Sequence, residues 1–342
     1  MGNQPLDDRA IHRPRPGPSH PDGCSLSRTR GNDRRRPAMT PFQERLRGST
    51  PALLTTLDRE FAVDPDAMRR TTRRVLDNGS RGVVVLGTSG EFSGIDDDQR
   101  ETAIRAVVEE VSAQVPVIVG CGQPNVRRTH EQARVAADLG ADGILVNPPF
   151  YFPMTQDEVV SFFADIVGVS PLPVLLYNIP GLTGVAVEPP TIPRLRDVGV
   201  QGVKDSSGSP ANTLAYLAAL GPGADFRVVV GGETFFLHLL DAGVCATTGL
   251  MPNVAPQLAA QVHEAWHAGD YQAAFAAQHR ANAFAAAFRP VHEFLPATGK
   301  AVLSRLGLME KWVAPPKTPL SEEEEERAFA AVKEYLPEFN NR

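Results

Sequence analysis

Lys204 lies in Val200-Gln201-Gly202-Val203-Lys204-Asp205-Ser206-Ser207-Gly208, where a short apolar run stops at one lysine and breaks into a polar turn. A lysine that ends a buried strand is costly to keep charged, because desolvation disfavours the ammonium and lowers its pKa. Free amine near neutral pH attacks a carbonyl and forms a Schiff base. Other apolar runs also end in groups able to do chemistry. Gly87-Thr88-Ser89-Gly90-Glu91 offers two hydroxyls and backbone N–H groups suited to a carboxylate. Asn147-Pro148-Pro149-Phe150-Tyr151-Phe152 and Tyr177-Asn178-Ile179-Pro180-Gly181 each bring a tyrosine. His263-Glu264-Ala265-Trp266-His267 matches H-E-x-x-H, which on a helix sets two histidines on one face to bind zinc, with the glutamate as base. It lacks the G-x-x-H or Met-turn that would support a metalloprotease, so its histidines read as ordinary helix residues.

The elements that must position these groups alternate regularly. Strand-like runs fall at 51–57, 82–87, 116–120, 142–147, 172–177, 200–204, 226–231 and 244–249, with amphipathic stretches between them at 65–77, 96–111, 127–139 and 155–167. Gly79, Gly140 and Gly168 read as helix stops. Continuous apolar runs such as Val83-Val84-Val85-Leu86 suit strands covered on both faces, as in a parallel sheet. Eight such strands alternating with helices predict an α/β chain folded as a (β/α)8 TIM barrel over residues 45–252. In that fold the strand ends converge on one face, which would unite Lys204, Tyr177, Tyr151 and the Thr88 turn. From 253 to 342 the pattern is helical, at 255–268, 271–288, 299–306 and 321–335, predicting a C-terminal helical extension packed on the barrel; Ser321 should cap the last helix, with Glu322–Glu326 at its positive end.

Composition narrows the function classes. The formal net charge of −6 gives no reason to expect nucleic acid or an anionic membrane as partner. No apolar run approaches the roughly 18–20 residues of a membrane span. Cys24, Cys121 and Cys245 form neither a disulfide framework nor a C-x-x-C pair, which fits a cytoplasmic setting. Residues 1–44 are rich in arginine and proline and are expected to be a disordered tail, with Met39 a candidate working start.

Three ordered motifs resemble the dihydrodipicolinate synthase / N-acetylneuraminate lyase family of Schiff-base aldolases and lyases. They are Gly87-Thr88-Ser89-Gly90-Glu91, Tyr177-Asn178-Ile179-Pro180 and Gly202-Val203-Lys204-Asp205-Ser206-Ser207-Gly208, and the likeness runs over roughly residues 45–340. It implies that Lys204 forms the Schiff base with pyruvate or another 2-oxo acid and that Tyr177 moves protons. Thr88 and Ser89, with Gly90 beside them, would hold the carboxylate, and Thr88 would link Tyr177 into a hydroxyl relay. Tyr151 would enter a neighbouring subunit's site, implying a homodimer or homotetramer. No metal or organic cofactor is implied, because the imine is the electron sink.

The departures bear on the second substrate. The synthases carry an arginine where this chain has Leu182, and leucine supplies no carboxylate fork. Leucine at that position is similar to the lyases, but their serine after the eighth strand aligns with Leu250, and their acidic pair is reduced to Glu233 followed by Thr234. Ser206, Gly231 and Glu233 are then expected to contact a smaller substrate. The expected reaction is reversible cleavage of a 2-keto-3-deoxy sugar acid or 4-hydroxy-2-oxo acid to pyruvate and an aldehyde. Alternatives are 4-hydroxy-tetrahydrodipicolinate synthesis, a 2-oxo acid dehydratase, an idle barrel serving as scaffold, and a zinc hydrolase through His263 and His267. The family's lysine-feedback histidines align with Asp97 and Arg100 and its tyrosine with Phe150. Lysine is therefore expected to leave the activity unchanged; a dose-dependent inhibition curve would contradict this.

Overall fold

The computed structural model describes residues 39–339; the expectation of a disordered tail falls mostly outside them. Eight strands, β1 (Gly48–Ser49), β2 (Val83–Val85), β3 (Val117–Gly120), β4 (Gly143–Val146), β5 (Val174–Asn178), β6 (Gly202–Asp205), β7 (Arg227–Val230) and β8 (Ala246–Thr247), form one sheet in the order β1-β8-β7-β6-β5-β4-β3-β2. All named pairings are parallel. The chain just after β1 closes the ring: Ala52 bridges Val84 in parallel, and the Leu53 N–H donates to the Val84 carbonyl at 2.8 Å. The expected (β/α)8 barrel is what the chain builds. Its first strand starts before residue 51, because Gly48 and Ser49 pair with β8 and the segment after them turns to β2.

Valine-rich strands suit this sheet because both faces are covered. One face packs the interior, where Val84, Ile118, Leu145, Leu175 and Val229 meet below Tyr177. The other packs the helices α2 (Pro65–Asp77), α3 (Asp97–Val111), α4 (Val126–Asp138), α5 (Gln156–Val169) and those that follow. Their starts are written locally. Asp64 caps α2 by accepting from Asp66 and Ala67 N–H groups, and Thr155 with Glu158 makes a capping box on α5. Gly168, expected as a helix stop, lies inside α5, which runs on to Val169.

Two boundaries differ from expectation. A short helix α1 (Pro41–Arg45), with a Thr40/Gln43 capping box, lies where the tail was expected to continue to 44. It is held by burial: Phe42 is 7% exposed, and the Gln43 amide donates to the Gln201 and Asp225 carbonyls. After the short helices α6 (Pro180–Thr183), α7 (Thr191–Asp197), α8 (Pro210–Leu220) and α9 (Phe236–Ala242), helix α10 (Pro256–His267) packs on β1 and completes the ring, so the barrel runs past 252. The extension proper is α11 (Tyr271–Phe288), α12 (Leu295–Arg305) and α13 (Glu322–Val332), with its own core around Phe284, Phe288, Val302 and Val332. Helix α12 begins earlier than the expected 299, and α13 starts on the expected Ser321 cap, in a capping box with Glu324.

The extension is fastened to the barrel by a buried ion pair. Lys300, fully buried on α12, lies 2.5 Å from Glu91 Oε1 and donates to the Trp312 carbonyl at 2.7 Å. Glu91 Oε2 accepts from the Ala314 N–H at 2.6 Å. Burial pushes the Lys300 ammonium below its ordinary range, and Glu91 opposes that shift. Removing one partner of such a pair strands the other charge without water. Lys300→Met is expected to lose about 3–5 kcal/mol of unfolding free energy in denaturant titration. Adding Glu91→Gln should restore most of it; a double variant no more stable than the single one contradicts a paired role.

Candidate active site

The carboxyl ends of β5 and β6 set the central pair. Tyr177 and Lys204 are register partners on these neighbouring strands, so their side chains leave the sheet on the same side. The Lys204 ammonium lies 4.1 Å from the centroid of the Tyr177 ring, and both residues are buried, at 4% and 6% exposure. The Tyr177 hydroxyl is 3.2 Å from Thr88 Oγ1, in the turn after β2. Burial alone would raise the phenol, but the Lys204 charge and hydrogen bonds with Thr88, Lys204 and Ser206 outweigh it and hold it below its ordinary value. A phenol so placed exchanges protons with a group on the lysine and with the Thr88 hydroxyl.

The Thr88 turn differs in one respect from the expected anion nest. The N–H groups of Gly90 and Glu91 are spent inside the turn, on the carbonyls of Gly87 and Thr88. The hydroxyls of Thr88 and Ser89 remain to meet an anion, while Gly90 is packed against Leu53 and Leu86. On β6, Asp205 is a residue whose role sequence reading passed over. Its carboxylate accepts from Asn178 Nδ2 at 2.9 Å, from Ser207, from Asn212 and from Thr213 Oγ1 at 2.7 Å. It thereby ties β5, β6 and the start of α8 together beside Lys204.

Gly231, expected to touch substrate, leaves space for Ser206. A Cβ on it would stand 1.9 Å from Ser206 Oγ, so its absence lets that hydroxyl turn towards Tyr177. Gly249 makes the same allowance for Glu233, whose Oε1 would be 2.2 Å from an added Cβ. Both Glu233 oxygens are buried without a hydrogen-bond partner. Desolvation pushes its carboxyl up to about 7, partly offset by its own backbone N–H and by the Arg289 and Lys204 charges.

A cavity of about 370 Å³ opens over Thr88 and Tyr177 and is walled by Phe150, Ile179, Leu182, Phe294 and the 314–317 segment. Leu182 stands at its rim, 66% exposed. Of the expected site residues only Thr88, Tyr177 and Leu182 line it; Lys204, Ser89, Gly90, Ser206, Gly231, Glu233 and Tyr151 do not. Tyr151 is 86% exposed and edge-on to Phe152. Phe294 and Lys317 had no sequence signal, since nothing local marks the extension as part of the site.

Residues 45–335 match the Dihydrodipicolinate synthetase family. The chain belongs to that family. It is 37% identical over 295 residues to the 4-hydroxy-tetrahydrodipicolinate synthase of Thermus thermophilus, covering 84% of this chain and 96% of that one. Its structure is similar to YagE, a prophage protein of the family from Escherichia coli K12 solved in complex with pyruvate, with a TM-score of 0.81, 26% identity and coverage of 85% and 98%. It is also similar to a Ruminococcus gnavus sialic acid aldolase, with a TM-score of 0.79, 26% identity and coverage of 85% and 96%. The protein is accordingly a class I, Schiff-base-forming enzyme of the lyase and synthase type, acting on pyruvate chemistry.

The other constellations have structural duties. His263 packs against Gly48, at the start of β1 and so at the opposite end of the barrel from Lys204. Burial, then His267, Arg81 and Arg47, push its imidazole down to about 4. Those arginines would repel a metal ion, and among the described residues no three His, Cys, Asp or Glu side chains gather to hold one. Asp97 binds Arg128 and Gln132, and Arg100 is buried against Gln132 and the Gly120 carbonyl. Neither is free to receive a lysine ligand.

Glu233 ties pH to stability. Folded, its carboxyl keeps a proton up to about 7, against an ordinary value of 4.5. The folded state binds more protons between those limits, so stability falls as pH rises through the window and levels off above it. Glu233→Gln lacks this loss. Its stability relative to the unaltered protein should grow from pH 4.5 to 7, by an amount on the order of 3 kcal/mol; melting curves whose difference is flat with pH would contradict it.

Proposed function

We propose that the enzyme cleaves a 4-hydroxy-2-oxo acid, the 2-keto-3-deoxy sugar acids among them, reversibly to pyruvate and an aldehyde. The observation that carries this is the buried Lys204 amine over the Tyr177 ring, with the Thr88 hydroxyl on the phenol. The amine attacks the keto carbon, Tyr177 gives its proton to the departing hydroxyl, and water leaves, giving an iminium and the Tyr177 phenolate. Tyr177, as phenolate, takes the proton of the 4-hydroxyl; the C3–C4 bond breaks and its electron pair enters the iminium as an enamine. The aldehyde departs, the phenol returns a proton to C3, and water hydrolyses the imine to release pyruvate and the amine. Thr88 and Ser89 hold the carboxylate throughout. No step needs a metal or organic cofactor.

Leu182 favours cleavage over condensation with aspartate semialdehyde, because no carboxylate fork stands at that rim position. The identity to a named synthase supports the second reading, 4-hydroxy-tetrahydrodipicolinate synthesis. The exposed Tyr151 and Phe152 support a homodimer or homotetramer in which Tyr151 reaches a neighbouring site. Among the described residues no helix is long and apolar enough to cross a membrane, which agrees with a cytoplasmic enzyme.

Borohydride added with pyruvate should fix a covalent adduct on Lys204, read by peptide mass, and Lys204→Met should abolish it. Tyr177→Phe should still trap pyruvate but lose about 10²–10⁴-fold in turnover. An unmodified Lys204 contradicts the Schiff-base assignment. Condensation of pyruvate with aspartate semialdehyde outrunning cleavage would replace the lyase reading with the synthase one.

A further inference from the structure

The cavity over Thr88 and Tyr177 is far larger than pyruvate requires, and most of the surface of its walls is apolar. Phe92, Phe150, Phe294, Ile179 and Leu182 face it, with Ala314, Pro315 and Pro316 closing one side. The polar groups on those walls are mostly engaged already. Glu91 is bound by Lys300 and the Ala314 N–H. The Asn147 amide donates to the Pro148 carbonyl at 2.9 Å, and Thr183 Oγ1 donates to backbone carbonyls of its own turn. Lys317 holds its ammonium 5.0 Å over the Phe294 ring. Glu233 and Ser206, the groups able to answer sugar hydroxyls, lie outside the lining, as Lys204 itself does.

We propose that this chamber seats the aldehyde-side fragment of the substrate, and that the fragment is an apolar, ring-sized group in place of a polyhydroxylated chain. This rests on the cleavage reading above and narrows it. A polyol moved from water onto these walls finds Ser93, the Lys317 ammonium and few other free partners. Each hydroxyl left unpaired is penalised by about 1–3 kcal/mol, or roughly 5- to 150-fold in binding. An aromatic ring gains on the same surface, through area removed from water and through edge contacts with the phenylalanines. The chamber adjoins the catalytic hydroxyls, since Thr88 and Tyr177 form part of its lining; Lys204 lies behind them, 4.1 Å from the Tyr177 ring, so the fragment at C4 of its imine has to pass that ring to reach the chamber.

The test compares pyruvate release from 4-hydroxy-2-oxo-4-phenylbutanoate and from a 4,5,6-trihydroxy-2-oxohexanoate. The expected result is a kcat/KM at least tenfold higher for the phenyl acid. Phe294→Ala and Leu182→Asn should each raise the KM for the phenyl acid severalfold, while exchange of pyruvate methyl protons in D₂O, which needs only the imine and Tyr177, stays within twofold and reports an intact fold. Equal or better cleavage of the trihydroxy acid overturns the inference and leaves the lyase reading standing. So does an unchanged KM in both variants. Pyruvate trapped on Lys204 with neither acid cleaved overturns the cleavage reading, and this inference with it.

Discussion

The ion pair between Glu91 and Lys300 fixes the shape of everything above the sheet. Glu91 follows the Thr88 turn by three residues, and Lys300 belongs to a helix beyond the barrel. Both side chains are nearly inaccessible, so neither can exchange its partner for water without a large desolvation penalty. The same two residues hold the Trp312 carbonyl and the Ala314 N–H. One electrostatic contact therefore places the Thr88 turn and one wall of the cavity over Tyr177 in a common frame.

Three buried acids at the strand ends meet their surroundings in three ways, and the contrast separates structure from chemistry. Glu91 is matched by a cation. Asp205 is surrounded by neutral donors from Asn178, Ser207, Asn212 and Thr213, enough to hold an anion in place. Glu233 pairs with no cation and finds no donor from another side chain, and burial outweighs the Arg289 and Lys204 charges and pushes its carboxyl up to about 7. The first fastens the Thr88 turn to the extension, and the second ties together the ends of the strands that carry Tyr177 and Lys204. The third is a source of instability inside the fold, of the sort that accompanies an active site.

Much of this was legible before any coordinates. Lys204, Tyr177 and Thr88 each stop an apolar run, and parallel strand topology gathers such stops onto one face, so the central cluster followed from pattern alone. What escaped the sequence depends on distance. Nothing near Glu91 names Lys300, 209 positions on by subtraction of the two residue numbers. Gly168 resembles a helix stop until the helix is seen to run through it. Gly231 sits beside binding residues, and only the 1.9 Å clearance shows that it serves Ser206. Thr40 to Arg45 follow a polar, arginine-rich stretch, and only the pocket that takes Phe42 reveals them as part of the barrel.

The floor and the walls of the chamber come from different kinds of backbone. Lys204 and Tyr177 ride on paired strands, where a one-residue slip would turn either side chain to the opposite face. The walls come from connections after β2, β4 and β5 and from the far extension, where insertions and exchanges leave the sheet undisturbed. A lineage carrying this architecture can change the second molecule it accepts by altering a handful of loop positions. The imine chemistry passes through those changes intact, inherited as a separate trait.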